Sequence, residues 1–180
     1  MDKINELFDL CGLDCILLKT SERIADPNFY YFTKLGKFEN FSSILVLRRG
    51  RKPVVLANVL EYKNVEKSRQ FSAVRISSAE DAAKVLKKML PRKVGINYAA
   101  TSLKSLRDFR SLLKGKKFLD VSQALGKIRE TKTNEELKKL EKSCKIAAKI
   151  IESVPNMAKV GMQERELEKK IEEMIELHDV

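Results

Sequence analysis

Apolar positions along this chain alternate between short runs and helical stripes as far as about residue 121, and beyond it only helical stripes remain. Ile4, Leu7, Phe8 and Leu10 share one helix face, with Asp2 placed to cap that helix and Gly12 to close it. Residues 14–18 (Asp-Cys-Ile-Leu-Leu) are apolar on both faces, the mark of a strand covered on both sides. Asp26-Pro27 puts an N-cap before a proline at the first helical position and opens a short helical turn through residue 32. Residues 42–48 and 53–57 flank the basic turn 49–52 and predict a hairpin. Asn58 and Glu61 have capping-box spacing for the next helix, and residues 73–76 form a short strand. Ser78 and Asp81 open a helix that Pro91 ends. Strands at 93–96 and 118–121 bracket one more helix. The pattern predicts a three-layer α/β domain, with helices on both faces of a sheet that the hairpin makes mixed.

From residue 122 the pattern changes, which predicts an α/β domain over 1–121 and a helical segment over 122–180. Thr133 is a good N-cap and Glu136, three residues later, can return the bond. The apolar face then runs through Leu137, Leu140, Cys144, Ala147, Ala148, Ile151 and Val154, and Pro155 with Asn156 is expected to end the helix. Gly161 precedes a last helix striped by Leu167, Ile171, Met174 and Ile175. Each stripe needs more cover than the other supplies, so these helices are expected to swap between two chains or pack back on the sheet domain.

Composition narrows the class. A chain of 180 residues, 43% apolar, can bury one good core. The longest apolar runs are strand-sized, and the first residues lack the basic start and apolar stretch of a signal peptide, which together predict a cytoplasmic protein. Cys11, Cys15 and Cys144 make an odd count in helix and strand patterns and read as small hydrophobes rather than a disulfide framework. The net charge of +11 is localised: residues 84–117 hold eleven lysines and arginines against one acid, Asp108. Such a run can attract phosphates or acidic proteins. Two solvated helix faces and the turn at 114–117 account for it without a ligand, and no aromatic residue interleaves as a stacking platform.

Three motifs carry a resemblance. Arg129, Lys132, Thr133, Glu136 and Leu137 match an Arg-x-x-Lys-Ser/Thr-x-x-Glu-Leu pattern, while Gly161, Met162, Gln163, Glu164, Glu166 and Leu167 match Gly-Met-Thr-Glu-x-Glu-Leu. Asn28, Tyr31, Phe32 and Thr33 loosely match Asn-x-x-Tyr-Leu-Thr-Gly. On these residues the chain resembles the creatinase, prolidase and aminopeptidase P family of pita-bread metallopeptidases, across their N-terminal domain and the first helices of the catalytic domain. Gln163 departs from threonine and Lys34 from a common glycine.

The resemblance implies a ribonuclease H-like N-terminal fold and a parent Xaa-Pro dipeptidase (prolidase-like) holding two divalent metals, manganese, cobalt or zinc, through two Asp, one His and two Glu. It implies proline-containing dipeptides as the parent's substrate, a homodimer, and a noncatalytic N-terminal part that helps dimerise and narrows access. It also implies a substrate-side wall with Tyr31, Lys34, Phe38 and Phe41, and structural roles for Arg129, Lys132, Glu136, Gly161, Glu164 and Glu166. Beyond Thr133 the chain has one histidine, His178, beside one aspartate, Asp179. No dinuclear cage can be built from these, so no metal or peptide cleavage is expected of this chain, which reads as a parent cut within its catalytic domain. A stand-alone protein-binding module of the same fold and a basic nucleic-acid-binding domain are the alternatives. Neither a membrane nor, on the lack of stacking residues, a nucleic acid is the expected partner.

Overall fold

The computed structural model describes residues 3–21, 24–35 and 42–177. They fall into two compact units divided between Glu130 and Thr131. The first holds six strands: β1 (Cys15–Thr20), β2 (Ser43–Arg48), β3 (Val54–Ala57), β4 (Ser72–Arg75), β5 (Lys93–Ile96) and β6 (Lys117–Asp120). They form one sheet in the order β4-β3-β2-β1-β5-β6. β2 is antiparallel to both β1 and β3, while the β3–β4, β1–β5 and β5–β6 pairs are parallel. The sheet is therefore mixed, as the hairpin predicts.

Strand alternation sorts the apolar residues into two cores. Ile16, Leu18, Leu45 and Leu47 face α1 (Lys3–Cys11), α2 (Pro27–Thr33), α3 (Tyr62–Glu66) and α6 (Ser122–Glu130), through Leu7, Phe8, Phe29, Val65 and Ile128. Leu17, Val46 and Leu56 face α4 (Ala79–Met89) and α5 (Leu103–Leu112), through Ala82, Ala83, Leu86 and Phe109. Each fully buried Leu, Ile or Phe contributes roughly 1.5–3 kcal/mol, so the two cores dominate the stability of this unit.

Helix α6 packs with the first unit, although its helical pattern continues into the segment that follows. Leu125 and Ile128 join the α1-side core, and Lys3 Nζ donates to the Ile128 carbonyl at 3.1 Å. The Asp120 carboxylate starts this helix by accepting the Ser122 N–H at 2.9 Å. Desolvation pushes that carboxyl up, but hydrogen bonds from Ser122 and the Tyr98 N–H outweigh it and hold it below the usual range.

The second unit contains α7 (Asn134–Met157) and α8 (Glu164–Glu176), and Ser153 Oγ donates to Met174 Sδ at 3.4 Å between them. The structure corrects one helix end: Pro155 lies inside α7, which runs on to Met157. The proline removes a single N–H in the final turn, and the Ala158 N–H still closes on the Val154 carbonyl at 3.0 Å. No helix among the described residues is long and apolar enough to cross a membrane.

Two outcomes follow from the packing. A Cβ at Gly95 would meet Val121 Cγ1 at 2.8 Å and Ile16 Cγ1 at 3.0 Å. Gly95→Val is therefore expected to lower stability by about 1–3 kcal/mol or more in urea unfolding, and an unchanged midpoint would contradict this close packing. Burial raises the Cys15 thiol to about 12, against smaller lowering by Arg48 and Lys116. A raised thiol pKa favours the fold below the ordinary value of 9.0, and that contribution is lost as pH climbs towards about 12. At pH 8 a disulfide-exchange reagent is expected to label exposed Cys144 at once and Cys15 only after unfolding.

Candidate functional site

The end of β1 and the start of α2 are joined to β5 by a buried carboxylate. Asp26 is 1% exposed, and its Oδ1 accepts from the Asn28 backbone N–H at 2.9 Å and from Asn28 Nδ2 at 3.0 Å. Asn97 Nδ2, immediately after β5, donates to both Asp26 oxygens at 3.1 and 3.0 Å. Two side-chain amides and a backbone N–H thus satisfy a charge that would otherwise be costly to bury. Pro27 presets the first helical turn, Thr20 Oγ1 and Tyr30 Oη lie 3.1 Å apart, and Thr33 Oγ1 donates to the Phe29 carbonyl at 2.8 Å. These bonds fix the aromatic run: Phe29 is buried, while Tyr30, Tyr31 and Phe32 are half-buried.

At the other end of α2, Lys34 adopts φ 57°, the one left-handed non-glycine residue among the described residues. This is where the family resemblance expects glycine. The geometry closes the helix, with the Lys34 N–H on the Tyr30 carbonyl at 2.8 Å. It also carries Lys34 Nζ over the Tyr31 ring, 4.5 Å from the centroid, while Arg129 Cζ from α6 lies 5.8 Å from the same centroid. Three residues singled out by sequence, Tyr31, Lys34 and Arg129, therefore meet although two separate motifs supply them. Phe38 and Phe41 lie outside the described residues, as do His178 and Asp179.

The structure also brings forward residues that sequence patterns left in the background. Asp26 read only as a helix cap, and nothing local pointed to Asn97 as its partner. Lys19 lies in a cleft of about 520 Å³ between α4 and α5, lined also by Ser77, Ser105, Asp108 and Phe109. Its Nζ donates to Ser105 Oγ at 3.3 Å, and burial pulls it below the usual lysine range, against a smaller opposing effect of Asp108. Among the described residues, no three His, Cys, Asp or Glu side chains are grouped to hold a metal ion.

The family model of the creatinase/prolidase N-terminal domain matches residues 1–131. The chain belongs to this family. Among curated relatives, the Xaa-Pro dipeptidase of Pyrococcus furiosus is 24% identical over 179 residues, covering 99% of this chain and 48% of the relative. Among solved structures, the prolidase from Pyrococcus horikoshii OT3 superposes with a TM-score of 0.80 at 20% identity, over 97% of this chain and 48% of that one. The X-Pro aminopeptidase from Thermotoga maritima MSB8 gives 0.82 at 17% identity, over 98% and 49%. The chain spans about half the length of the curated relatives it matches.

Within this creatinase/prolidase-type chain, the remaining motif residues sit at helix starts. Glu136 Oε2 accepts the Thr133 N–H at 2.8 Å, and Thr133 Oγ1 accepts the Glu136 N–H at 3.2 Å, closing the expected capping box. Lys132 lies in the exposed link between α6 and α7. Gly161 has φ 85° in the turn before α8, Glu164 is the first residue of α8, and Glu166 accepts the Gln163 N–H at 3.0 Å.

Asp26→Ala would leave the Asn97 and Asn28 amides buried without their acceptor. It is expected to cost about 1–3 kcal/mol for each stranded group, read by urea unfolding, and a change under about 0.5 kcal/mol would remove the anchoring role. Lys34→Gly relieves about 1–2 kcal/mol of left-handed backbone cost and gives up about 0.5–1 kcal/mol of cation–π attraction, so it is expected to be neutral to mildly stabilising. Lys34→Val loses the contact and keeps the strain; comparing the two melting temperatures tests the assignment.

Proposed function

We propose that this chain is the noncatalytic N-terminal portion of a Xaa-Pro dipeptidase-like metallopeptidase, in which it supports dimerisation and shapes substrate access. The observation that carries this reading is the family match over residues 1–131, followed by the helix-start motifs of α7 and α8. The wall role rests on the Tyr31–Lys34–Arg129 cluster, where α2 ends in a fixed geometry and holds an aromatic ring beside two cations. Such a surface suits a short peptide's carboxylate and apolar side chain. The dimer role rests on Leu137, Leu140 and Ile151, which are 47%, 48% and 68% exposed on α7. The parent's two divalent metals would be held by residues beyond those of this chain.

Hydrolysis of Xaa-Pro dipeptides with added manganese, cobalt or zinc is the direct test. This chain alone is expected to show no turnover and no stoichiometric metal, and either result in the positive overturns the noncatalytic assignment. In the parent enzyme, Tyr31→Ala is expected to raise KM for dipeptides several-fold, leave kcat nearly unchanged and improve cleavage of longer peptides. An unaltered ratio of dipeptide to tripeptide cleavage removes the wall.

A further inference from the structure

We propose that the end of the sheet where β1, β5 and β6 begin is a docking surface for the phosphate backbone of a DNA duplex. Residues 84–117 alone read as solvated helix faces and a turn, and strand direction changes that. Because β5 and β6 are parallel, Lys93 and Lys117 are register partners and emerge at the same end. Because β2 is antiparallel to β1, Arg48 pairs with Cys15, so the turn bearing Arg49, Arg51 and Lys52 emerges there too. Two basic segments remote in sequence become one surface. The buried Cys15 thiol registers both, since Arg48 from one segment and Lys116 from the other act on it.

Little at this end neutralises the charge. Asp9 and Asp14 are both taken up by Arg49, at 2.6 and 2.9 Å. Arg51, Lys52, Arg92, Lys93 and Lys117 are exposed, and among the described residues none of them is ion-paired to a carboxylate. Like charges directly opposed across strands, such as Lys93 and Lys117, destabilise a sheet, and an anion seated between them removes that cost. The opposite end is mixed, with Asp81 and Asp120 near its strand ends beside Lys19 and Arg75. Charge is thus segregated along the strand direction.

Spacing and side-chain type select the partner. From β3 to β6 the row crosses four strand spacings of about 4.8 Å, roughly 19 Å in all. Laid along a duplex axis, that span covers about five or six base-pair steps at about 3.4 Å each, and its five exposed cations can meet backbone phosphates on both sides of a groove. Tyr98, Phe109 and Phe118 are committed to the α4–α5 core, so the surface offers no platform for stacked single-stranded bases. A duplex backbone, read without sequence preference, is the fitting ligand.

Fluorescence anisotropy with a DNA duplex and an RNA duplex of about 20 base pairs and equal sequence tests this. Binding of the DNA duplex is expected, weakening with salt at a log–log slope of about −4 to −5, and tighter binding of the RNA duplex would overturn the assignment to DNA. Arg51→Glu with Lys117→Glu is expected to weaken binding by roughly tenfold or more and to flatten the slope by about two. Lys63→Glu with Arg75→Glu makes the same net-charge change away from the surface and is expected to leave affinity within about twofold. Circular dichroism verifies that both pairs fold. No binding at about 50 mM salt, equal weakening by the control pair, or tighter binding of polyglutamate than of either duplex would each overturn the proposal.

Discussion

Strand β1 is the constraint on which the first unit depends. It has hydrogen-bonded neighbours on both edges and a core on both faces, so its six residues admit almost no polar side chain that lacks a partner. Its apolar run dictates two layers of helices, since either face left bare would expose Ile16 and Leu18 or Cys15 and Leu17. Gly95 belongs to the same constraint. β5 packs so closely against β1 and Val121 that there is no room there for a Cβ.

Elements with a short-range signal were legible in the chain: the hairpin from its basic turn, the strands from apolar runs, and α7 from the Thr133–Glu136 box. What escaped is long-range. Asn97 gives no sign that its amide holds Asp26, because the two lie 71 positions apart and meet only once β1 and β5 are parallel neighbours. α6 escaped in a different way. Its pattern is helical like the segment after it, and only the burial of Leu125 and Ile128 assigns it to the sheet unit. Pro155 shows the limit of a local rule, because a proline in a last turn costs one hydrogen bond and a helix can run past it.

The candidate site was half legible. Tyr31, Lys34 and Arg129 could be named from motifs, but not their convergence, which requires α2 and α6 to pack on the same face of the sheet. Lys34 carries the most information, because a departure from glycine in the sequence coincides with a left-handed backbone in the structure. A lysine kept in a conformation that glycine adopts freely requires compensation, and its ammonium over Tyr31 supplies part of it.

The Arg129–Leu137 motif can then be divided by physical task. Arg129 lies in the last turn of α6, where its guanidinium approaches a ring anchored through α2 to the buried Asp26. Thr133 and Glu136 satisfy the first amides of α7 in the second unit. Only residues 131–133 separate the two helices, so one short motif ends the sheet unit at a fixed point and starts the next helix with its own cap. The residue types of the motif follow from that double duty: an arginine long enough to reach the ring, and a hydroxyl and a carboxylate three apart to close the helix start.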